Sequence, residues 1–489
     1  MNLGLIIDSF AGGGGASTGI FEALGRAPDV AINHNEKALA MHQVNHPGTR
    51  HYVQDVWAVD PLQATQGKPV DLAWFSPDCT HHSRAKGGKP VSSKLRGLAW
   101  VALRWAATVR PAVIFLENVP EFHKWGPLKR KGRPDKNKKG ITFAKFKSQL
   151  ADLGYEVEFK VLRACDYGSP TTRERLFMVA RCDGKPIVWP TPTHGAPDSP
   201  EVSRGELKPW IPAHTCIDWS IPCPSIFGRK RPLAEATLRR VCRGIHKFIL
   251  ESKSPFLAKV PWSGDSNSAS VAAFLAKHYT GVTGTSLASP MSTVTSVDHH
   301  SLVAVSLVRM FGQSNGADIH SPAPTVVAGG QGKTALVAAH ICKMRGTNLG
   351  HVLESPLHTV SAQGTHHSLV SVFLTKYYGS GESFNAITDP MHTVTTKDRF
   401  NLVAVSINNE TYAITDIGLR MLQPRELYAA QGFPGDYVID RGLLESGKWV
   451  QFTKTEQVQF CGNSVPPDLA KALVSANCAK IKNKQQKIA

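Results

Sequence analysis

The chain has 489 residues, long for one domain and comfortable for two. Hydrophobic residues make up 42% and charged residues 19%, and no apolar run reaches the ~18 residues of a membrane span, so the composition is that of a globular, non-membrane protein. Lys and Arg number 56 against 38 Asp and Glu, a formal charge of +18, which points to a polyanionic partner without separating DNA, RNA and an acidic membrane surface. The nine cysteines are odd in number and lack paired spacing, which fits a reducing cytoplasm. The first residues, MNLGLIIDSFAGGGG, carry no basic leader or cleavage site, which argues against secretion.

In chain order, residues 1–182 alternate strand and helix. Leu3–Ile7 reads as a buried parallel strand, followed by Gly12–Gly15 and a helix over Ala16–Leu24. Val30–Ile32, Pro69–Trp74 and Ala112–Leu116 read as further strands, with a helix over Lys94–Val109. Tyr155–Leu162 and Leu176–Arg181 close the series. This order implies a doubly wound α/β sheet. Beyond Asp183 the sequence turns rich in Pro and Trp, which marks a boundary. Residues 274–405 hold an internal repeat. Four signatures begin at Pro290, Pro322, Pro356 and Pro390, spaced by 32, 34 and 34 residues, and each is followed by an apolar strand: Leu302–Val305, Leu336–Ala339, Leu369–Val372 and Leu402–Val405. The units place Lys277, Arg309, Lys343 and Lys376 at matching positions. They read either as a plain β scaffold or as a modular recognition surface. After Ile414 the chain reads as helical again, most clearly at 420–434 and 465–481.

Four motifs sit at strand ends. Asp8–Gly15 joins the first strand to its helix, where glycines let a ligand approach free N–H groups. Its spacing is not GxGxxG, and it lacks the Lys-Ser/Thr of a P-loop. Phe75–Arg84 follows strand PVDLAW, where a doubly wound sheet places its active site, and offers Cys79 as a nucleophile candidate against a structural thiol. Phe115-Leu116-Glu117-Asn118-Val119-Pro120 ends a buried strand in a carboxylate, which is costly unless paired or used. Tyr167–Leu176 carries Arg173 and Arg175, alternating into a strand and so pointing the same way; a solvated ion-pair ladder is the plainer reading.

In this order the four motifs resemble the DNA (cytosine-5)-methyltransferase family. Gln423–Glu426 through Gln431–Pro434 looks like that family's late helix, and Gln459–Pro467 like its final motif. The resemblance covers residues 1–182 and about 416–480, and the prophage-encoded branch is the nearest likeness. It implies a Rossmann-like S-adenosylmethionine-dependent domain built from 1–182 and 416–489, interrupted by a β-rich target-recognition domain over 183–415.

By resemblance Cys79 is the nucleophile that adds to cytosine C6. Glu117 hydrogen-bonds the N3/N4 edge, Arg175 holds O2 and Arg173 supports the catalytic loop. Base flipping is implied, with a mobile loop over His81–Ser93 and with Ser83, Arg84 and Lys86 at the DNA backbone. Phe10, Ala11, Gly12, Gly13 and Gly14 would line the S-adenosylmethionine site. Asn33 stands where the family carries a ribose-binding acid, His34 at the adenine-stacking position and Asp55 near adenine N6. Asn463 and Val465 would close the pocket.

The family's Pro-Pro-Cys-Gln is Pro77-Asp78-Cys79-Thr80 here, and the carboxylate beside the thiol opposes thiolate formation, with His81, His82, Arg84 and Lys86 to offset it. The glutamine before the paired arginines is Thr171. Residues 124–147 hold ten Lys or Arg and one Asp, and read either as a solvated loop or as a DNA-backbone clamp that includes Lys129, Arg130 and Lys131. No CxxC is present, so no metal is expected. The expected protein is a cytoplasmic monomer, bacterial or phage-encoded, acting on double-stranded DNA. An RNA cytosine methyltransferase and a catalytically impaired DNA-binding protein are the competing readings; the large recognition segment disfavours the first, and intact Cys79, Glu117, Arg173 and Arg175 disfavour the second.

Overall fold

The computed structural model describes residues 4–78, 92–129, 132–227, 229–251, 256–260, 269–277, 284–296, 300–309, 340–343, 351–352, 367–370, 375–376, 400–401, 404–407 and 410–486. The chain divides into two compact units. One comprises residues 1–217, 288–298 and 422–489, and the other residues 218–287 and 299–421.

The first unit is α/β around a central, mostly parallel sheet, as its strand and helix order leads one to expect. The strands are β1 (Leu5–Ser9), β2 (Val30–Asn33), β3 (Arg50–Val53), β4 (Val70–Phe75), β5 (Val113–Asn118), β6 (Glu156–Arg163) and β7 (Glu174–Arg181). Their order across the sheet is β3-β2-β1-β4-β5-β7-β6, and only β7 runs antiparallel to its neighbours. The inner strands are nearly all apolar because both faces are covered. Ile7, Ala73, Phe75, Ile114, Leu116 and Met178 face one side, against helices α3 (Trp100–Thr108) and α4 (Ile141–Asp152). Ile6, Leu72, Trp74, Phe115 and Phe177 face the other, against α1 (Gly15–Leu24) and a C-terminal helix over Pro467–Gln486. Trp74 stacks on Phe115 at 5.2 Å between ring centroids at the centre of that second layer.

Several elements differ from the sequence reading. The helix expected over 94–109 is broken at Gly97 into Ser93–Arg96 and Trp100–Thr108. Strand β3 and helix α4 were not expected as elements. Helix α2 (Glu36–Asn45), which carries almost no apolar periodicity, follows β2. The chain is not helical from Ile414: residues Glu410–Met421 form a strand, and helix α5 covers only Pro424–Ala430. Pro424 opens that helix and Gly432, at φ +84°, stands just beyond it. Helix α6 (Lys454–Asn463) begins at a Thr453/Glu456 capping box, and α7 is the helix over Pro467–Gln486.

The basic segment 124–147 is folded where it is described. Phe122, Trp125 and Phe146 anchor it in the core, with Trp125 and Phe122 centroids 5.2 Å apart. Between the anchors run a short hairpin, Leu128–Lys129 with Arg133–Pro134, and a turn at Lys136–Lys138. Lys124, Lys129, Arg133, Lys136, Lys138 and Lys139 remain exposed. The aromatic anchors explain why a stretch that reads as a solvated loop takes a fixed shape.

In the second unit, the described strands Leu257–Val260, Ala269–Lys277, Gly284–Ser286, His300–Arg309, Ala404–Ile407 and Glu410–Met421 form one antiparallel sheet. The four matching basic positions each end a described strand: Ala269–Lys277, His300–Arg309, His340–Lys343 and Thr375–Lys376. The apolar strand Leu302–Val305 lies inside His300–Arg309, and 367–370 and 404–407 overlap two of the others. Leu336–Ala339 and the signatures at Pro322, Pro356 and Pro390 lie outside the described residues. The first signature belongs to the first unit, as does 183–217, so the compact units depart from the expected boundaries at 183 and 415. Met291 N donates to Pro170 O at 2.8 Å, and Thr172 N to Met291 O at 2.6 Å.

Candidate active site

The carboxyl ends of β1, β4 and β5 meet at one edge of the sheet, where the chain order reverses from β3 across to β4. Ser76 N donates to Ser9 O at 3.2 Å and ties the end of β4 to that of β1. Asn118 Nδ2 donates to Pro77 O at 3.2 Å and fixes the start of the Pro77-Asp78-Cys79 segment against β5. Because β7 is antiparallel, its beginning lies at this same edge. Arg175 Nε is 2.9 Å from Glu117 Oε1, and both side chains are at least nine-tenths buried. Arg173 Nη1 donates to Val294 O at 2.8 Å and to Gly462 O at 2.9 Å, so its guanidinium braces three separated segments. Cys79, Ser83, Arg84 and Lys86 lie outside the described residues, as do Arg130 and Lys131. Asp78 is exposed at the border of that gap. Lys129 is on the hairpin, 3.6 Å from Asp135.

The glycine loop lies at the neighbouring strand ends. Ala11 N donates to Ile32 O at 3.1 Å and Gln54 N to Asn33 O at 3.1 Å, which sets the loop, Asn33 and Asp55 along the ends of β1, β2 and β3. Phe10 has φ +65° and Gly12 φ +45°. A Cβ on Gly12 would meet only Phe10 O at 3.7 Å, so the loop offers an open cradle. Asn33 Oδ1 already accepts from Asn35 N at 2.9 Å, His34 is exposed, and Asp55 Oδ1 accepts from Trp57 N at 3.0 Å. Beneath the loop the C-terminal part closes in. A Cβ on Gly13 would lie 3.0 Å from Ser464 Oγ, Val465 is buried against α1, and Asn463 stays exposed. An open backbone cradle with the polar side chains of Asn33 and Asp55 beside it fits a nucleoside-type cofactor.

Sequence reading missed three features that only folding assembles. Tyr437 donates its hydroxyl to Gly13 O at 2.8 Å and sits where any side chain on Gly14 would go. Ser169 Oγ donates to Asp468 Oδ2 at 2.7 Å, and Gly432 is packed against both, so the arginine segment, the late helix and the final helix meet at one point. The third is a buried polar chain. Ser17 Oγ donates to Asp8 Oδ2 at 2.7 Å, His42 Nε2 is 2.8 Å from Ser17 Oγ, and His42 Nδ1 is 2.8 Å from His51 Nε2. Asp8 Oδ1 has no partner. A carboxylate inside an apolar strand was the one signal available for it.

Burial raises the Asp8 carboxyl from 3.8 to about 7, against the opposing pull of the Ser17 hydroxyl, and burial lowers His46 and His51 to about 4. A raised acid stabilises the fold below its unfolded pKa and loses that contribution as pH rises through the folded one, here between about 4 and 7. The lowered imidazoles act oppositely, losing theirs as pH falls from 6.5 towards 4. Asp8→Asn should therefore be more stable than wild type by only about half as much at pH 5.5 as at pH 8.5, where the gain reaches up to ~4 kcal/mol. Thermal melts of both proteins at the two pH values check this; equal differences at both would rule it out.

Among the described residues no group of three His, Cys, Asp or Glu is placed to hold a metal, and no helix is long and apolar enough to cross a membrane. Residues 5–207 match the family described as C-5 cytosine-specific DNA methylase. The type II methyltransferase M.AgeI of Thalassovita gelatinovora is 30% identical over 195 residues, 38% of this chain and 42% of that protein. M.AquIA of Picosynechococcus sp. is 27% identical over 213 residues, 42% of this chain and 84% of that protein. The match thus spans less than half the length of M.AgeI and most of M.AquIA. Among solved structures, a methyltransferase encoded within an E. coli prophage is 16% identical at a TM-score of 0.40, covering 98% of this chain and 99% of that one.

Proposed function

We propose that this chain, which belongs to the C-5 cytosine-specific DNA methylase family, transfers a methyl group from S-adenosylmethionine to C5 of a cytosine flipped out of double-stranded DNA. The observation that carries this reading is the buried Glu117–Arg175 pair beside the segment that leads into Cys79. Cytosine presents O2, N3 and N4 in sequence along one edge. A guanidinium and a carboxylate held 2.9 Å apart match neighbouring positions on that edge.

Cytosine C5 is a poor nucleophile. In the proposed sequence the Cys79 thiolate forms a bond to C6, and the electron pair moves to C5, which becomes enamine-like. Glu117 stabilises the proton at N3 and accepts from the N4 amino group, while Arg175 donates to O2. S-adenosylmethionine, when bound, supplies the electrophilic methyl group. Loss of the C5 proton then expels the Cys79 thiolate and restores the ring. Phe10, Ala11, Gly12, Gly13 and Gly14 would hold that cofactor through their backbone, with Asn33, His34 and Asp55 beside them and Asn463 and Val465 behind. Arg173 acts as a positioning residue, through its bonds to Val294 O and Gly462 O.

The second unit is proposed as the target-recognition domain, with Lys277, Arg309, Lys343 and Lys376 towards the DNA. The cytoplasm is the proposed compartment. Bisulfite sequencing of a plasmid carrying the gene tests the reading. Protected cytosines within one or a few sequence motifs are expected, and a fully converted plasmid alongside abundant folded protein would overturn it.

A further inference from the structure

The polar chain behind the glycine loop crosses four elements: Asp8 on β1, Ser17 on α1, His42 on α2 and His51 on β3. Asp8, Ser17 and His42 are fully buried, and His51, on the edge strand, is partly so. The donors run in one direction. Ser17 has a single proton and gives it to Asp8 Oδ2, so His42 Nε2 must bring its own to Ser17 Oγ. That leaves His42 Nδ1 to accept from His51 Nε2. Two buried atoms in the chain then have no hydrogen-bond partner, Asp8 Oδ1 and His51 Nδ1, and they belong to its two end residues.

One added proton reverses every link. His51 takes it at Nδ1 and passes its Nε2 proton to His42 Nδ1. His42 passes its Nε2 proton to Ser17, and Ser17 passes its hydroxyl proton to Asp8. One proton has entered, a neutral carboxylic acid stands at Asp8, and each imidazole has changed tautomer without gaining charge. From this one-way chain and its two unpartnered ends, we infer that Asp8, Ser17, His42 and His51 take up and release one proton as a unit, a pH switch in the footing of the glycine loop.

Gly14 rests on that footing. A Cβ there would lie 3.4 Å from both His42 Cδ2 and His46 Nε2, and Thr18 Oγ1 donates to Gly14 O at 2.8 Å. The other titratable groups facing the chain are His46, its ring centroid 4.6 Å from that of His42, and Tyr437, whose hydroxyl is committed to Gly13 O. Ala31 and Trp74, the partners of Asp8 on β2 and β4, bring no charge. Burial holds the three imidazoles neutral at pH 7 and raises Asp8 to about 7, so the carboxyl changes charge there and the rings change only tautomer. Above that pH a negative charge stands behind the loop. The consequence for binding rests on the cofactor proposed above: the sulfonium of S-adenosylmethionine is a cation, and the carboxylate favours it over the uncharged thioether of S-adenosylhomocysteine.

The test follows the full chain with nitrogen-15-labelled histidine by NMR from pH 5.5 to 8.5, with His42→Gln and His51→Gln to assign the signals. Calorimetric binding of S-adenosylmethionine and S-adenosylhomocysteine is measured alongside. His42 and His51 should exchange their protonated and bare nitrogens at one shared midpoint of about 7, with neither ring becoming doubly protonated. In Asp8→Asn both rings should keep one tautomer throughout, and Ser17→Ala, which cuts the chain in the middle, should fix them likewise. The affinity ratio of S-adenosylmethionine to S-adenosylhomocysteine should rise about 5-fold across this range in wild type, the lower end of ordinary coupling between sites, and stay level in Asp8→Asn. Rings that hold one tautomer in wild type, or that titrate separately to imidazolium, would overturn the switch. Tautomer exchange with a level affinity ratio would overturn its effect on binding. Failure of the cofactor reading looks different: neither compound binds at any pH while the tautomers still exchange.

Discussion

Glu117→Gln is expected to lower the methyl-transfer rate by 10²- to 10⁴-fold, the usual contribution of a positioned general acid or base, and Cys79→Ser to abolish it. The glutamine keeps the shape and one acceptor for Arg175, so the fold should lose about 1–3 kcal/mol, the scale of a weakened buried hydrogen bond. Removing the acceptor altogether, as in Glu117→Ala, strands a buried guanidinium and should cost about 3–5 kcal/mol. Single-turnover methylation of a duplex, read beside a thermal melt, separates the two effects. Normal turnover in Glu117→Gln would remove the carboxylate from the chemistry, and normal turnover in Cys79→Ser would remove the covalent step.

Gly19→Ala should destabilise the protein, although helix propensity alone predicts the opposite. Alanine in the middle of α1 is worth about 1 kcal/mol over glycine. A Cβ at position 19, however, would collide with the carbonyl oxygen of Pro467 and lie 2.6 Å from Ala470 Cβ and 2.8 Å from Lys471 N. Two of those atoms are backbone at the start of α7 and cannot step aside singly. Overpacking of this kind costs about 1–3 kcal/mol or more, so the clash wins. An apparent melting temperature lower by about 2 °C is expected. Phe21→Ala on the exposed side of the same helix, half-accessible in the native state, serves as the control that should not show it. Equal or higher stability in Gly19→Ala would mean that α1 and α7 do not approach as closely as described.

Much of the α/β unit is legible in the sequence for a specific reason. Its inner strands are buried on both faces, so each is a continuous apolar run, and each ends in a polar motif at the edge where such sheets bind ligands. That logic locates the glycine loop, the entry to Cys79, and Glu117. It does not reveal that Glu117 and Arg175 touch. Arg173 precedes its strand and Arg175 is the second residue of it, and only the strand's antiparallel direction brings them to the carboxyl edge. The chain from Asp8 through Ser17 and His42 to His51 is equally silent, since its members are spread over β1, α1, α2 and β3 with no recurring spacing. Nor does the repeat pattern tell that its first signature bonds to the arginine segment. Those contacts are largely main-chain, and main-chain partners leave no mark on composition.

The close packing of α1 against α7 joins residues near the two ends of the sequence. On a ribosome adding about 5–20 residues per second, the glycine loop and α1 emerge roughly 20–90 s before the helix that covers them. Throughout that interval Ile6, on the sheet, and Ile20 and Leu24, on α1, have no α7 to pack against, and the part of that layer which α7 covers is bare. The glycine-loop cradle is therefore synthesised well before the helix that completes it. Nascent chains halted anywhere in the repeat array should depend on a chaperone or aggregate through that bare face, whatever the state of their strands.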